Sequence, residues 1–145
     1  RDGEVHKTYW AITKETPPAE EGVLTDWLVR NERQNKSYAH SQETPNAKKA
    51  VLKYKVIAHS DHYHLLEVQL MTGRHHQIRC QLANMGCPIK GDLKYGAKRS
   101  NPDGSICLLA RSVAFVHPVS KENIVVEAPL PPQDRLWEAL ASAVI

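Results

Sequence analysis

The feature that most constrains this chain is a change of hydrophobic period at Thr72 and Gly73. Upstream, residues 50–58 (AVLKYKVIA) and 63–70 (YHLLEVQL) alternate apolar and polar side chains. That is the period of two expected of strands with one face buried. The polar run His59-Ser60-Asp61-His62 lies between them, so the pair predicts an antiparallel hairpin. Downstream, Ile78, Leu82 and Met85 fall at i, i+4 and i+7, the stripe of an amphipathic helix. Gly86 and then Pro88 stop that helix in the order helices usually end.

The remaining segments fit around this hairpin and helix. Residues 6–13 (HKTYWAIT) read as a strand, 15–22 (ETPPAEEG) as a turn-rich break and 23–30 as extended. Residues 31–49 are polar and read as a mobile loop. Two more strands are expected over 106–116 and 124–128. Asp134 should cap a last helix carrying Leu136, Leu140 and Val144 on one face, with Trp137 in the core. The expected fold class is α+β, a mixed, mostly antiparallel sheet with flanking helices.

Composition narrows the function classes. The chain has 145 residues, 41% of them apolar and 24% charged, enough for one buried core. It has no apolar run near the ~18 residues that cross a bilayer, so no membrane role is expected. Cys80, Cys87 and Cys107 are odd in number and irregularly spaced, which argues for reduced thiols and a cytoplasmic protein. A net charge of +3 permits a polyanionic partner without requiring one. The opening Arg1-Asp2-Gly3-Glu4 has no initiator Met, and the reading is of a fragment.

Chemistry concentrates at Leu70-Met71-Thr72-Gly73-Arg74-His75-His76-Gln77-Ile78-Arg79, where a strand passes through a glycine turn into a helix. Unpaired N–H groups at a helix start, with two arginines and two histidines beside them, suit a phosphate or a carboxylate. A metal at His75 and His76, with Cys80 as third ligand, is disfavoured because neighbours on a helix point about 100° apart. Lys48, Lys49, Lys53 and Lys55, with Lys90, Lys94, Lys98 and Arg99, read as an RNA-facing strip or a solvated charged face.

The pattern L-x-T-G-R-x-H-Q-I-R resembles the C-terminal signature of the RluA-type pseudouridine synthases. So does the run from Gly86 to Gly96, which matches G-x-P-I-x-G-D-x-x-Y-G. Lys7-Thr8-Tyr9-Trp10-Ala11 is similar to that family's K-x-Y-x-A. Phe115-Val116-His117-Pro118 and Ala128-Pro129-Leu130-Pro131 are similar to its closing strands. The resemblance implies the C-terminal half of the pseudouridine synthase fold over residues 1–145. It also implies isomerisation of uridine to pseudouridine in rRNA or tRNA, with RNA as partner and neither cofactor nor metal.

By the same resemblance, Tyr9 is the active-site tyrosine that packs on the uracil, and Arg79 pairs with the catalytic aspartate. Arg74, His76 and Gln77 become candidate RNA contacts, and Leu108 an apolar wall beneath the base. A flipped base does need an aromatic platform, and an ionised aspartate a fixed cation. Two departures stand out. The family's aspartate lies in an H-R-L-D motif upstream of K-x-Y-x-A, and none of Asp2, Asp26, Asp61, Asp92, Asp103 or Asp134 has that context. The chain alone is therefore expected to be inactive, marginally stable and to expose apolar surface that the missing upstream half would cover. Leu108-Leu109-Ala110 also stands where the family usually has L-H-A. Asp92 is expected to hydrogen-bond its own loop. A non-catalytic RNA-binding module on the same scaffold and a metal-dependent hydrolase are the rival readings.

Overall fold

The computed structural model describes residues 5–144. Its strands are β1 (Val5–Thr13), β2 (Glu21–Asn31), β3 (Lys36–His40), β4 (Lys48–His59), β5 (His64–Leu70), β6 (Leu108–Val116) and β7 (Asn123–Glu127). Helix α1 is Gln77–Asn84, helix α2 is Arg135–Ser142, and a single 3-10 turn spans Leu93–Tyr95. The strands form one seven-stranded sheet in the order β3-β2-β4-β5-β1-β6-β7. Each pairing is antiparallel.

The 50–70 hairpin forms as expected, with Leu52 opposite Leu70, Tyr54 opposite Val68 and Val56 opposite Leu66. Directly paired residues share a face, so these six side chains make one apolar surface. Ile78 and Leu82 of α1 belong to the same core cluster. A bulge between Val56 and Ala58 shifts the register and sets Leu65 opposite Ala58. Neighbouring Leu65 and Leu66 are both fully buried, as are Ala11 and Ile12 on β1. Consecutive buried residues on a strand mean that both faces of the sheet centre are covered. Helix α2 packs against β4 and β5. Asp134 caps it, its Oδ1 accepting the N–H groups of Leu136 and Trp137 at 3.1 and 3.2 Å. Trp137 and Leu140 are buried, with Leu136 and Val144 packed on the same core.

One expectation fails. Residues 31–49 are not all loop, because β3 pairs with β2 from Asn31↔Lys36 to Trp27↔His40. The turn into it holds Asn35 at φ 51, a conformation Asn tolerates, and the Asn31 carboxamide oxygen accepts the Gln34 N–H at 3.1 Å. Edge strand β3 buries Ser37 and carries no large apolar residue inward, so hydrophobic alternation could not reveal it. At the opposite edge, Val125 and Val126 of β7 are exposed, as is Val119 before it. No described helix is long and apolar enough to cross a membrane.

Candidate active site

Tyr9 lies in the middle of β1, opposite Val68 of β5 and Ala110 of β6. The row Tyr9, Val68, Tyr54, Gly22 crosses the sheet on one face. Asp26, four residues along β2 from Gly22, accepts a hydrogen bond from Gln81 of α1 at 2.9 Å, so this is the face α1 covers. Leu108 pairs with Ala11 and shares it. The Tyr9 ring is half-buried against the core, and among the described residues its hydroxyl makes no hydrogen bond.

The loop after α1 is tied to the end of β1 by three backbone bonds. Lys90 donates to the Ile12 carbonyl at 2.8 Å, Cys107 to the Lys90 carbonyl at 2.9 Å and Ile12 to the Cys107 carbonyl at 3.0 Å. Gly91 follows with φ +89, and a Cβ there would sit 2.7 Å from both the Asn101 amide nitrogen and the Ser105 carbonyl oxygen. Only glycine fits, and it delivers Asp92 beneath α1.

Asp92 is fully buried, and its carboxylate accepts Arg79 Nε–H and Nη2–H at 2.8 Å each. The expected bond from the Asp92 side chain to its own loop is not made. The loop is closed instead by backbone, with the Asp92 carbonyl accepting from Tyr95 and Ala97. The buried carboxylate raises the Arg79 pKa, first through this hydrogen bond, against the opposing effect of burial. Arg79 Nη1 meets His76 Nε2 at 3.2 Å, and its carbon lies 5.0 Å from the Tyr95 ring centre. A guanidinium can only donate, so His76 Nε2 accepts and the neutral ring carries its proton on Nδ1. That proton points at Tyr95 Oη, 2.8 Å away, which also accepts the Ser37 N–H at 2.8 Å. Burial, then the Arg79 charge, lowers the His76 pKa to about 4. His76 is also the N-cap of α1 at φ 54, a strained value for a histidine that this network holds in place.

Two of the residues expected to contact RNA are engaged in bonds within the chain. Gln77 is buried, its oxygen accepting from Thr72 Oγ1 and the Arg74 N–H and its nitrogen donating to the Val51 carbonyl and Gln81. With its amide so engaged, Gln77 orders the turn. His76 likewise has both ring nitrogens engaged inside the chain. Arg74 is half-buried and braces the turn through Nε to the Lys49 carbonyl at 2.9 Å, with its Nη groups unspent among the described residues.

Tyr9 and Arg79 lie on the same side of the sheet but on separated elements. Strands β5 and β4 stand between β1 and β2, roughly 14 Å of sheet, and α1 packs over β2 and β3. Among the described residues the two side chains share no hydrogen bond, and Arg79 takes Asp92 as its carboxylate. The lysine strip also divides. Lys48 shares the α1 side with Leu28, whereas Lys53 and Lys55 pair with Val23 and Glu21 on the opposite face. Lys90 reaches Asn101, and Lys94 the carbonyls of Gln34 and Asn35. No group of three metal-ligating side chains occurs among the described residues. Sequence reasoning gave Asp92 to its own loop and not to Arg79, and it missed Tyr95 and Ser37 as members of the site. Asp92 and Tyr95 lie in the G-D-x-x-Y-G motif itself, which was the available signal.

The fold defines the class. The solved human RNA Pseudouridylate Synthase Domain Containing 4 matches 92% of this chain with TM-score 0.73 at 26% identity, and 60% of that chain is covered. The human Domain Containing 1 protein shares the fold, with TM-score 0.68 at 23% identity. Residues 1–84 match the family described as RNA pseudouridylate synthase, and the chain belongs to it, in its RluA-type branch. An uncharacterized RNA pseudouridine synthase of Bacillus subtilis is 32% identical over 131 residues, 90% of this chain and 45% of that protein. One from Chloroflexus aurantiacus is 38% identical over 128 residues, 88% of this chain and 39% of that protein. The chain thus spans less than half the length of these relatives.

Proposed function

We propose that this chain is the C-terminal portion of the catalytic domain of an RNA pseudouridine synthase acting on uridine in rRNA or tRNA, in the cytoplasm and without cofactor or metal. The reading is carried by one observation: Tyr9 and Arg79 both lie within the residues that match the family, on the same side of the sheet. In this reading the uracil stacks on Tyr9 with Leu108 beside it, and the aspartate comes from the part of the protein beyond the matched length. Asp92 occupies the Nε edge of Arg79, so the incoming carboxylate meets the Nη1 edge beside His76. The aspartate initiates cleavage of the N1–C1′ bond, the uracil turns, and C5 bonds to C1′. In this reading the C5 proton then leaves with the help of the Tyr9 hydroxyl, while N1 ends protonated.

The test is tritium release from RNA labelled at uridine C5 by the whole protein. Release that Arg79→Ala and Arg79→Lys both abolish while the proteins stay folded supports the reading. Full activity in a folded Arg79→Ala removes Arg79 from the chemistry. The chain alone should release none. The rival reading is a non-catalytic RNA-binding module on the same scaffold, which predicts salt-sensitive RNA affinity and no release from the whole protein.

A further inference from the structure

A cavity of about 250 Å³ opens beside the T-G-R turn, lined by Leu28, Arg30, Ser37, Asn46, Lys48 and Arg74 among others. Three of these are cations from three separate segments: the end of β2, the first residue of β4 and the turn before α1. Pairing of Leu28 with Lys48 and of Arg30 with Ser37 sets them on the α1 side of the sheet. No carboxylate among the described residues lines the cavity. Among the described residues neither Arg30 nor Lys48 forms an ion pair, and Arg74 bonds only a carbonyl through Nε. The local positive potential is felt at neighbouring His75, whose pKa is lowered by burial and then by the Arg30 charge. Arg30 and Lys48 are exposed and Arg74 is half-buried, so the three raise the local positive potential, and an anion entering among them gains favourable contacts that salt screens.

We propose that this cavity is a phosphate subsite, distinct from the Tyr9 and Arg79 region, that takes a backbone phosphate of the RNA several nucleotides away from the target, since Leu28 and Lys48 lie six positions along β2 and β4 from the row that Tyr9 shares with Tyr54 and Gly22. It rests on the RNA-modifying reading for the identity of the ligand, though not for its charge. Arg74 offers its Nη edge for a bidentate contact, while Arg30 and Lys48 close on the other oxygens. The cavity reads no base and so contributes affinity and register.

The test uses the whole protein, a uridine-containing stem–loop RNA and inorganic phosphate. The Arg30→Gln, Lys48→Gln double variant should weaken RNA binding about tenfold or more. Its log affinity should fall less steeply with log salt, by roughly 0.7–0.9 per lost charge contact. Lys53→Gln, on the other face of the sheet, is the control and should retain the wild-type slope. An unchanged slope in the double variant overturns the proposal. If the unmodified protein binds no RNA, the functional reading has failed, and phosphate alone decides the cavity. Amide resonance shifts at Gly73 to His75 on phosphate titration, lost in the double variant, then uphold an anion site. No such shifts overturn it.

Discussion

The Arg79 guanidinium and the fully buried Asp92 carboxylate, thirteen positions apart, meet in a two-pronged ion pair with both contacts at 2.8 Å. The pair is lopsided in its exposure to water. Asp92 has none, whereas about a fifth of the Arg79 side chain is exposed. Arg79→Ala leaves a buried carboxylate without a partner and should cost about 3–5 kcal/mol. Asp92→Asn leaves a cation that can still reach solvent, and should cost less, about 1–3 kcal/mol. Urea unfolding of the two variants checks the order. Equal losses would mean that the carboxylate finds another donor.

His76 makes stability depend on acid. Its folded pKa of about 4 lies below the ordinary value of 6.5, so the unfolded chain binds the proton more readily. Above about pH 6.5 the difference has no effect. Stability should fall as pH drops from there towards 4, and the His76 share should then level off. His64 and His75 are lowered as well and add the same sign. The measurement is the urea midpoint at pH 7 and pH 5, in the wild type and in His76→Gln. The variant should lose less between the two values. An identical drop would assign the acid sensitivity to the other histidines.

Tyr9→Phe separates the ring from the hydroxyl. Since the hydroxyl makes no hydrogen bond among the described residues, the substitution should shift stability by only about 0.5 kcal/mol. If the hydroxyl assists removal of the C5 proton, tritium release by the whole protein should fall about 100-fold with RNA affinity retained. Wild-type release would leave Tyr9 as a stacking platform alone.

Gly91→Ala tests the loop that delivers Asp92. The new methyl would demand φ +89 from an L-residue and press on Asn101 and the Ser105 carbonyl, both at 2.7 Å. A loss of about 2 kcal/mol or more is expected from strain and overpacking together. Thermal melting of the variant checks it, and a melting point unchanged from wild type would show that the loop relaxes without cost.

Much of the frame was legible because burial writes a period into the chain. The alternation over residues 50–70 specified a hairpin, and the stripe Ile78, Leu82 placed α1, because each face had to meet the core. Asp134 announced the last helix by the chemistry of its cap. Strand β3 left no such trace, since its inward residue Ser37 is held by hydrogen bonds to His75 and Tyr95.

The candidate site divides along the same line. The sequence by itself determined which residue types crowd the strand-to-helix junction, and the ordered motifs determined the family. Tertiary structure alone decided that Asp92 closes on Arg79, that Gln77 is spent inside the turn and that Lys48 and Lys53 face opposite ways. The reason is physical. Hydrophobic period is a local property of a strand or helix and survives in one dimension. A polar partner is chosen by whichever donor or acceptor the packed core brings within 3 Å, and that distance exists only after folding.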